Sequence, residues 1–424
     1  MAALGSSTAY GNTIAQFTPA LKVIHEKLKP IEYEGNPAYA LMKKEEAFGR
    51  FVSLPVRYAA SPDGAAIDTV AFSTTVSGNP SYVEFQLTPG RDYVRNYLSG
   101  ITMAVSQGDK QAVISNIMAT KNAMANTAAR SIAVMTFGIG NGVRGQLSTS
   151  TNLATTTLQL RDVEQIVNFE VGMRIQLISA NTLTADVRGS GSYLTVTKID
   201  RGAGSMVLNN AINTLTGATT SDFIVRYGDF AYDNSYAGSG NPVLPVGVSG
   251  WVPFSAPSAT TFYSVDRTTD TRLSGVRITG GGRDKSETMI KAIALSRREG
   301  AFGKKFFIVN PMDFADIQIN RDAKAVVTVD LGGKAKVSFS AIEVAQNGGE
   351  PVMVLADRGW PRGYFHLLQT DTWQFRSAGK FHRLLDEDGR YFLRVAGADA
   401  YEIRQGGYGT FGCDAPAYNV AGTW

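Results

Sequence analysis

The stretch Asp109–Phe137, DKQAVISNIMATKNAMANTAARSIAVMTF, is the clearest helix pattern in this chain of 424 residues. Its apolar residues recur close to every 3.6 positions, as in a helix with one buried face. They are Val113, Ile117, Met124, Ala128, Ile132 and Met135. Ser106 or Asp109 can cap the first turn. The sequence therefore predicts a helix about 40 Å long, more than twice the ordinary length.

Four glycines follow this helix, in FGIGNGVRGQ (Phe137–Gln146). A glycine loop that holds phosphate follows a strand and precedes a helix, so that the helix N-terminus faces the anion. Here the helix comes first, and the negative end of its dipole faces the glycines. The order predicts a helix C-cap that releases the chain into a loop, and not a nucleotide site.

Composition narrows the class of protein. The length is typical of two to three domains, and 44 % hydrophobic residues provide for sizeable cores. The net charge of +4 is too mild for a dedicated nucleic-acid reader. A single cysteine, Cys413, permits no internal disulfide. No apolar run approaches the ~18 residues that span a bilayer, and the first residues lack the features of a signal peptide, so no membrane partner is expected.

The residues before the helix predict an arm and a hairpin. Residues 1–45 carry one short amphipathic stretch and cannot bury a core alone. GRFVSLPVRY and YVEFQLTPGRDYVRNYLSGITMAV alternate like strands on either side of a turn-rich stretch, which predicts a long hairpin with a broad tip. Two strands alone are marginal in water and expose open edges. We therefore expect the arm and the hairpin to lie on a neighbouring molecule.

Five short strand patterns between residues 155 and 230 have the spacing of a small barrel or closed sheet. From about residue 250 the pattern mixes helices and strands. SETMIKAIALSRREG predicts a helix capped by Ser286, and KKFFIV a buried strand. NPMDFADIQINRD predicts a helix with Asn310 as N-cap and Pro311 in first position. Further strands lead to CDAPAYNVAGTW, which reads as a loose tail. The fold class is α+β.

The sequence predicts no catalytic, cofactor or metal site. ITGGGRDKSETM has Asp284 and Thr279 where a P-loop needs glycines, which favours a glycine turn into a capped helix. The acidic run Asp386–Asp388 is too compact for a calcium loop and predicts a solvated turn. His25, His366 and His382 lack partners at metal-ligand spacing, and Cys413 has no nucleophile signature.

The order of these parts resembles the major capsid proteins of tailed bacteriophages, which have the Hong Kong 97-like fold. YVEFQLTPGRDYVRNY to MTFGIGNGVRGQ is similar to the step from an extended loop through a spine helix to its glycine-rich exit. KKFFIVNPMDFADIQINRD resembles the strand and helix of an axial domain. DEDGRYFLRVAGADAYEIRQGG is similar to late strands of the peripheral domain, and the strand-rich block resembles the β-domains inserted in some members.

The resemblance implies six parts. They are an N-terminal arm (1–45), an extended loop (46–95), a peripheral domain with the spine helix (96–150), an inserted β-rich, barrel-like domain (151–235), an axial domain (236–380), and returning peripheral strands with a C-terminal tail (381–424). It also implies a non-enzymatic subunit of pentamers and hexamers in an icosahedral head. That shell would surround packaged double-stranded DNA, contacting phosphates without reading sequence.

The same resemblance implies partners and a place. The virion shell would be assembled in the cytoplasm of the host bacterium, with a portal and a decoration or cement protein. Some members begin with a scaffolding segment that a protease removes. Because this sequence reaches its hairpin by about residue 50, we expect a separate scaffolding protein instead.

The type member of this family links its subunits through isopeptide bonds between an extended-loop lysine and an asparagine. This sequence has no lysine between Lys44 and Lys110. The basic residues of its loop are Arg50, Arg57, Arg91 and Arg95, and a guanidinium stays protonated and is no such nucleophile. A non-covalent shell is therefore expected.

Two alternatives remain open at this point. One is an encapsulin-type shell around cargo enzymes, against which the chain length and the inserted domain argue. The other is a nucleic-acid-binding protein that uses the 155–230 barrel, since small barrels can bind oligonucleotides. That block has few basic residues, namely Arg161, Arg174, Arg188, Lys198, Arg201 and Arg226.

Overall fold

A computed structural model describes residues 35–46, 49, 51–60, 66–67, 80–100, 110–230, 242–258, 261–320, 326–330, 338–347, 350–385 and 392–424. Helices and several sheets alternate along these residues, which confirms the predicted α+β class. Most of the predicted arm, residues 1–34, lies outside the described residues.

The α-helices are α1 Pro37–Leu41, α2 Lys110–Phe137, α3 Val248–Trp251, α4 Lys285–Arg298 and α5 Pro311–Asn320. The strands of the first half are β1 Lys43–Glu46, β2 Val52–Ala59, β3 Ser81–Leu87, β4 Gly90–Ser99, β5 Val143–Gln146, β6 Thr157–Gln159, β7 Arg174–Ile178, β8 Leu194–Asp200, β9 Ser205–Leu208 and β10 Phe223–Arg226. Those of the second half are β11 Val276–Thr279, β12 Lys305–Val309, β13 Val326–Asp330, β14 Ser338–Asn347, β15 Glu350–Ala356, β16 Tyr364–Gln369, β17 Trp373–Ser377, β18 Arg383–Leu384, β19 Leu393–Arg394, β20 Ala400–Cys413 and β21 Val420–Thr423.

Helix α2 is the long helix that the sequence predicts, with 28 residues. Its predicted apolar face is buried at Met124, Ala128, Ile132 and Met135. The side chains of Val113 and Ile117 and the two candidate caps, Ser106 and Asp109, lie outside the described residues. The helical period in the sequence thus identifies the buried face correctly where it can be compared.

The glycine run ends α2 as predicted, but its second half is not a loop. The Gly138 N–H donates to the Val134 carbonyl at 2.8 Å. Gly140 and Gly142 follow with φ of 90° and 72°, in the left-handed region that favours glycine. Strand β5 then begins and pairs with β10. The loop prediction was wrong there because a strand this short is stabilised by its distant partner, not by its own pattern.

Strand β20 is the centre of the first sheet. It pairs with β4, β17, β18 and β19, and β1 pairs in parallel with β17. Helix α2 packs on one side of this sheet, where Met124 and Ala128 meet Val94, Leu98 and Ile403. We call it the β4–β20 sheet.

The hairpin is shorter than the sequence predicts. Strands β2 and β3 form a two-stranded sheet with Val52 opposite Leu87. Strand β4, which the sequence pattern joined to the hairpin, pairs with β20 instead. Pro89 separates β3 from β4 and has no N–H to continue the hairpin ladder, so the chain changes sheets at this turn.

A seven-stranded sheet has the order β11-β21-β16-β12-β15-β14-β13. The predicted buried strand is its β12, in which Phe307 and Val309 pack in one cluster with α4 and α5. Phe306 and Ile308 point the other way, into the main core. Asn310 caps α5 as predicted, since its Oδ1 accepts from the backbone N–H two residues on at 2.8 Å.

The residues predicted as a loose tail are part of this sheet. Strand β21 lies between β11 and β16, with Val420 and Ala421 buried. The Asn419 side-chain oxygen accepts from the Gln369 backbone N–H at 2.8 Å and from the Trp373 indole N–H at 2.9 Å. The prediction was wrong because small residues in β21 carry little pattern of their own, and distant strands bury them.

All five strands predicted between residues 155 and 230 are present as β6 to β10, and β5 joins them. The order of this six-stranded sheet is β5-β10-β7-β8-β9-β6. A bridge between Leu147 and Leu160 links its first and last strands, with a 2.8 Å hydrogen bond from the Ser148 N–H to the Gln159 carbonyl. The sheet therefore closes on itself, and it encloses a hydrophobic cluster separate from the main core.

We expect a fragment of residues 141–230 to fold alone, because this sheet has its own core. A fragment of residues 155–230 lacks β5, which opens the ring, and its melting temperature should be lower by at least about 4–8 °C, the effect of a loss near 1 kcal/mol in a domain of this size. Circular dichroism during thermal unfolding of both fragments tests this. No cooperative transition in the longer fragment, or equal midpoints, would contradict it.

Candidate functional site

The hairpin of β2 and β3 has one buried face. Val52, Leu54 and Val56 on β2 alternate with exposed residues, and Phe85 and Leu87 on β3 face the same way. The Phe85 ring lies 5.0 Å from the Trp251 ring in the main core. The sequence led us to expect that the hairpin would not pack against a core of its own chain. That expectation was wrong for its described part, because the inward apolar residues pack on the same chain.

The other face of the hairpin is exposed and partly apolar. Phe51 and Tyr82 expose 51 % and 61 % of their surface. Ser53 donates to Glu84 at 2.6 Å across the two strands. Within the described residues no third strand pairs with β2 or β3, although the Gln86 N–H of β3 donates to the Tyr263 carbonyl at 3.1 Å. This face and its edges are the candidate assembly surface.

The basic residues around the hairpin include no free loop lysine. Arg57 lies on the exposed face of β2, and Arg91 and Arg95 lie on the exposed face of β4. The Lys44 amine, before the hairpin, donates to the Ala40 and Met42 carbonyls at 3.2 and 2.7 Å. Arg50 lies outside the described residues.

Four charged side chains form a buried network of ion pairs where the six-stranded sheet meets the β4–β20 sheet. We call this network the relay. Arg226 Nη2 donates to Asp92 Oδ1 at 2.7 Å, and Arg226 Nε donates to Asp229 Oδ1 at 2.7 Å. Arg144 Nη2 donates to Asp229 Oδ2 at 2.9 Å. Burial lowers the pKa of Arg226, but the two carboxylates outweigh it and hold that pKa above the ordinary value. The relay thus fixes two sheets to each other.

Sequence reasoning missed this relay. It named Arg226 only as a basic residue of the strand-rich block. Asp92 gave a usable signal, since it occupies an inward position in the alternating β4 pattern, between Gly90 and Val94. A carboxylate at an inward position needs a cation. Its partner could not be named from the sequence, because no local spacing relates Asp92 to Arg226.

The other basic residues of the strand-rich block are largely engaged within the chain. Their partners are Asp222 for Arg188 at 2.8 Å, Glu170 for Arg201 at 3.1 Å, Gln146 for Arg161 at 3.0 Å and the Tyr193 ring for Arg174 at 4.9 Å. Lys198 is exposed. The carboxylates of Asp222 and Glu170 offset the charges of Arg188 and Arg201, which reduces the positive charge that this surface offers to a nucleic acid.

The buried histidines and the cysteine have structural contacts. His366 Nδ1 accepts from the Trp360 indole at 3.0 Å, and Nε2 lies 3.0 Å from the Val252 carbonyl. Burial raises the pKa of the Cys413 thiol to about 12, which keeps it protonated. Among the described residues, no group of three or more His, Cys, Asp or Glu could hold a metal ion. His25 and Asp386–Asp388 lie outside the described residues.

The glycine turn before α4 does not form a phosphate loop. Asp284 Oδ2 accepts from the Ser286 N–H at 3.0 Å, so Asp284 is the N-cap, and the prediction of Ser286 was wrong by two positions. Lys285 donates to Asp313 and Asp316, both at 2.8 Å. A lysine held by two carboxylates is not presented to phosphate.

No helix in the described part of the chain combines the length and the apolar character that crossing a membrane requires. No protein-family model matches the chain, and no curated protein matches it in sequence.

Solved structures similar to the chain include a cyanophage A-1(L) capsid asymmetric unit, 10 % identical, covering 91 % of this chain and 92 % of that one with a TM-score of 0.47. A Microbacterium phage Oxtober96 chain is 12 % identical, with coverage of 92 % and 91 % and a TM-score of 0.42. A virus-like particle from Pyrococcus furiosus is 7 % identical, with coverage of 94 % and 97 % and a TM-score of 0.39.

Proposed function

We propose that this chain is the major capsid protein of a tailed double-stranded DNA bacteriophage. In this proposal it is a structural, non-enzymatic subunit that forms the pentamers and hexamers of an icosahedral head. The hairpin carries the proposal. Its inner face is anchored in the chain's core, its outer face offers exposed apolar side chains, and within the described residues no third strand pairs with it. A hairpin that can pair with another molecule suits repeated contacts between copies, which close into rings.

The proposed partners follow from that role. Other copies of the chain are the main partner, and a separate scaffolding protein, a portal and a cement protein complete the head. The virion is the proposed location, after assembly in the host bacterial cytoplasm. The nucleic-acid-binding alternative is less well supported, because three of the six basic residues of its candidate surface are paired with carboxylates within the chain. Packaged DNA would be contacted without sequence preference.

We expect the purified chain to form rings or closed shells at high concentration, visible by negative-stain microscopy and light scattering. Tyr82→Asp should shift it toward a 45.5 kDa monomer, because a charge would be buried in the contact. Tyr82→Phe keeps the ring and should assemble like the unmodified chain. If the chain without substitutions stays monomeric, or if the Tyr82→Asp chain assembles normally, the hairpin is not the assembly surface.

Particles should run as a single band near 45.5 kDa after boiling in detergent. The reason is chemical: the stretch between Lys44 and Lys110 supplies no amine for an isopeptide bond. Denaturing electrophoresis of purified particles makes the comparison. A ladder of covalent pentamers and hexamers would overturn this expectation.

The contents of the particle separate the proposal from an encapsulin-type shell. A phage head isolated from infected cells should protect DNA from nuclease, whereas an encapsulin-type shell would hold an enzyme cargo. Nuclease treatment of purified particles followed by extraction of DNA and mass spectrometry of proteins decides between them.

A further inference from the structure

The buried relay has a histidine at one end. His382 Nε2 lies 3.3 Å from Asp92 Oδ2, and both side chains are fully buried. No hydrogen bond of good geometry reaches either ring nitrogen of His382 within the described residues, so its approach to Asp92 is a loose polar contact. A buried imidazole without hydrogen-bond partners is costly, so its position must be held by other contacts.

His382 lies in a strained turn between β17 and β18. His382 has φ of 53°, a left-handed conformation that a non-glycine residue adopts at a cost. Its carbonyl accepts from the Gln405 side chain at 2.8 Å. The neighbouring Phe381 ring packs edge-on against Phe375 at 5.0 Å. The turn 378–382 is therefore fastened over the relay by a few contacts, and opening it would relieve strain.

Burial favours the neutral form of His382, against the opposing attraction of Asp92. Asp92 faces it from β4 and Arg226 from β10, and Asp229 and Arg144 complete the relay beyond them. Lys380 and Arg383 of its own segment are exposed cations. Two arginines already balance two carboxylates, so a proton on His382 adds an uncompensated buried charge. Burial lowers the pKa of His382, Asp92 raises it, and Arg226 lowers it further.

We propose that His382 is an acid-released latch for the turn 378–382 and for the strand β18 that follows it. At neutral pH the uncharged ring stays under the turn beside Asp92. Below about pH 6.5, the ordinary pKa of histidine, a proton favours the exposed ring over the buried one, so the turn opens and β18 is loosened. The relay itself persists, because Arg226 still bonds Asp92 and Asp229. The opening is therefore local, at the junction of two sheets, and the proposal does not depend on the assembly role.

Hydrogen exchange of the full chain tests the latch. His366→Gln is used as background, because it removes the other buried histidine. The exchange rate in peptides covering residues 378–385, corrected for the intrinsic effect of pH, should rise about tenfold or more between pH 7.5 and 5.0. The reason is that opening linked to the uptake of one proton becomes up to tenfold more favourable for each pH unit below 6.5. Peptides of α2 and β12 should stay protected.

His382→Asn is the matched variant, because asparagine tolerates the left-handed conformation and does not titrate. It should remove the pH dependence of exchange in residues 378–385. A flat profile in the His382-containing chain, an equal rise in His382→Asn, or a rise shared by α2 and β12 would each overturn the proposal. Should His382→Asn not fold, NMR titration of the histidine rings decides, and a His382 ring that titrates at or above pH 6.5 rejects the latch.

Discussion

Arg226→Met is expected to lower the free energy of unfolding by about 3–5 kcal/mol, the cost of removing one partner from a buried ion pair. Methionine preserves much of the side-chain volume but leaves Asp92 and Asp229 without their shared cation. Both carboxylates are buried, with exposed side-chain fractions of 0 % and 4 %. Arg144 can still neutralise Asp229, so Asp92 bears most of the cost. Urea unfolding of the unassembled subunit, followed by tryptophan fluorescence, measures the change.

Arg161→Met is the matched control for this substitution. Arg161 is an exposed arginine just after β6 of the same six-stranded sheet, and its side chain donates to Gln146 rather than to a carboxylate. Its replacement should change stability by no more than about 0.5 kcal/mol. Asp92→Asn added to Arg226→Met removes the unpaired charge and should restore part of the loss. A loss below about 1 kcal/mol for Arg226→Met alone would show that the relay does not hold the two sheets together.

Acid should destabilise the subunit through His366. Burial lowers the pKa of this imidazole to about 3. Its Nδ1 accepts from the Trp360 indole, so a proton there would face another donor. The unfolded chain binds that proton below about pH 6.5 and the folded chain does not. Stability is therefore fully present above pH 6.5 and is lost as pH falls toward 3, by about 1.4 kcal/mol per pH unit.

His366→Gln should reduce the slope of the unfolding free energy against pH by the contribution of one bound proton. Glutamine can accept from Trp360 and donate to the Val252 carbonyl, as the neutral ring does, without titrating. His366→Phe should also lose the slope, but it leaves both partners unsatisfied and should be less stable by about 1–3 kcal/mol at every pH. Urea unfolding from pH 7.5 to 4.0 compares the three chains. An unchanged slope in both variants would exclude His366 as the acid-sensitive group.

The sequence predicts those helices and strands whose own residues show a hydrophobic period. It does not predict strands that depend on pairing with distant parts of the chain. The long helix α2, the buried strand β12 and the Asn310 cap depend on local spacing, and all three are confirmed. Strands β5 and β21 are four residues each, and their burial comes from β10 and from β11 with β16. Four residues are too few for a period to be distinguished from a loop.

In the candidate site too, features that depend on local spacing are predictable from the sequence and features that depend on distant contacts are not. The alternation of β2 and β3 predicts the hairpin and its exposed face. It could not show that the inner face meets Trp251, because nothing local links Phe85 to that residue. The buried relay joins residues from three separate strands and the turn after one of them. The cap of α4 was misplaced by two positions because Asp284 and Ser286 are both good capping residues, and only geometry selects between them.

The pairing of β4 with β20 has a consequence for how the protein is made. Ser99 pairs with Ala400, so nearly the whole chain must leave the ribosome before this ladder can form. At 5–20 residues per second, synthesis of the intervening chain takes roughly 15–60 s. During that time β4 is a strand without its partner, and β21, which lies inside the seven-stranded sheet, has not yet been made. We therefore expect newly made subunits to be prone to aggregate and to depend on chaperones until translation ends.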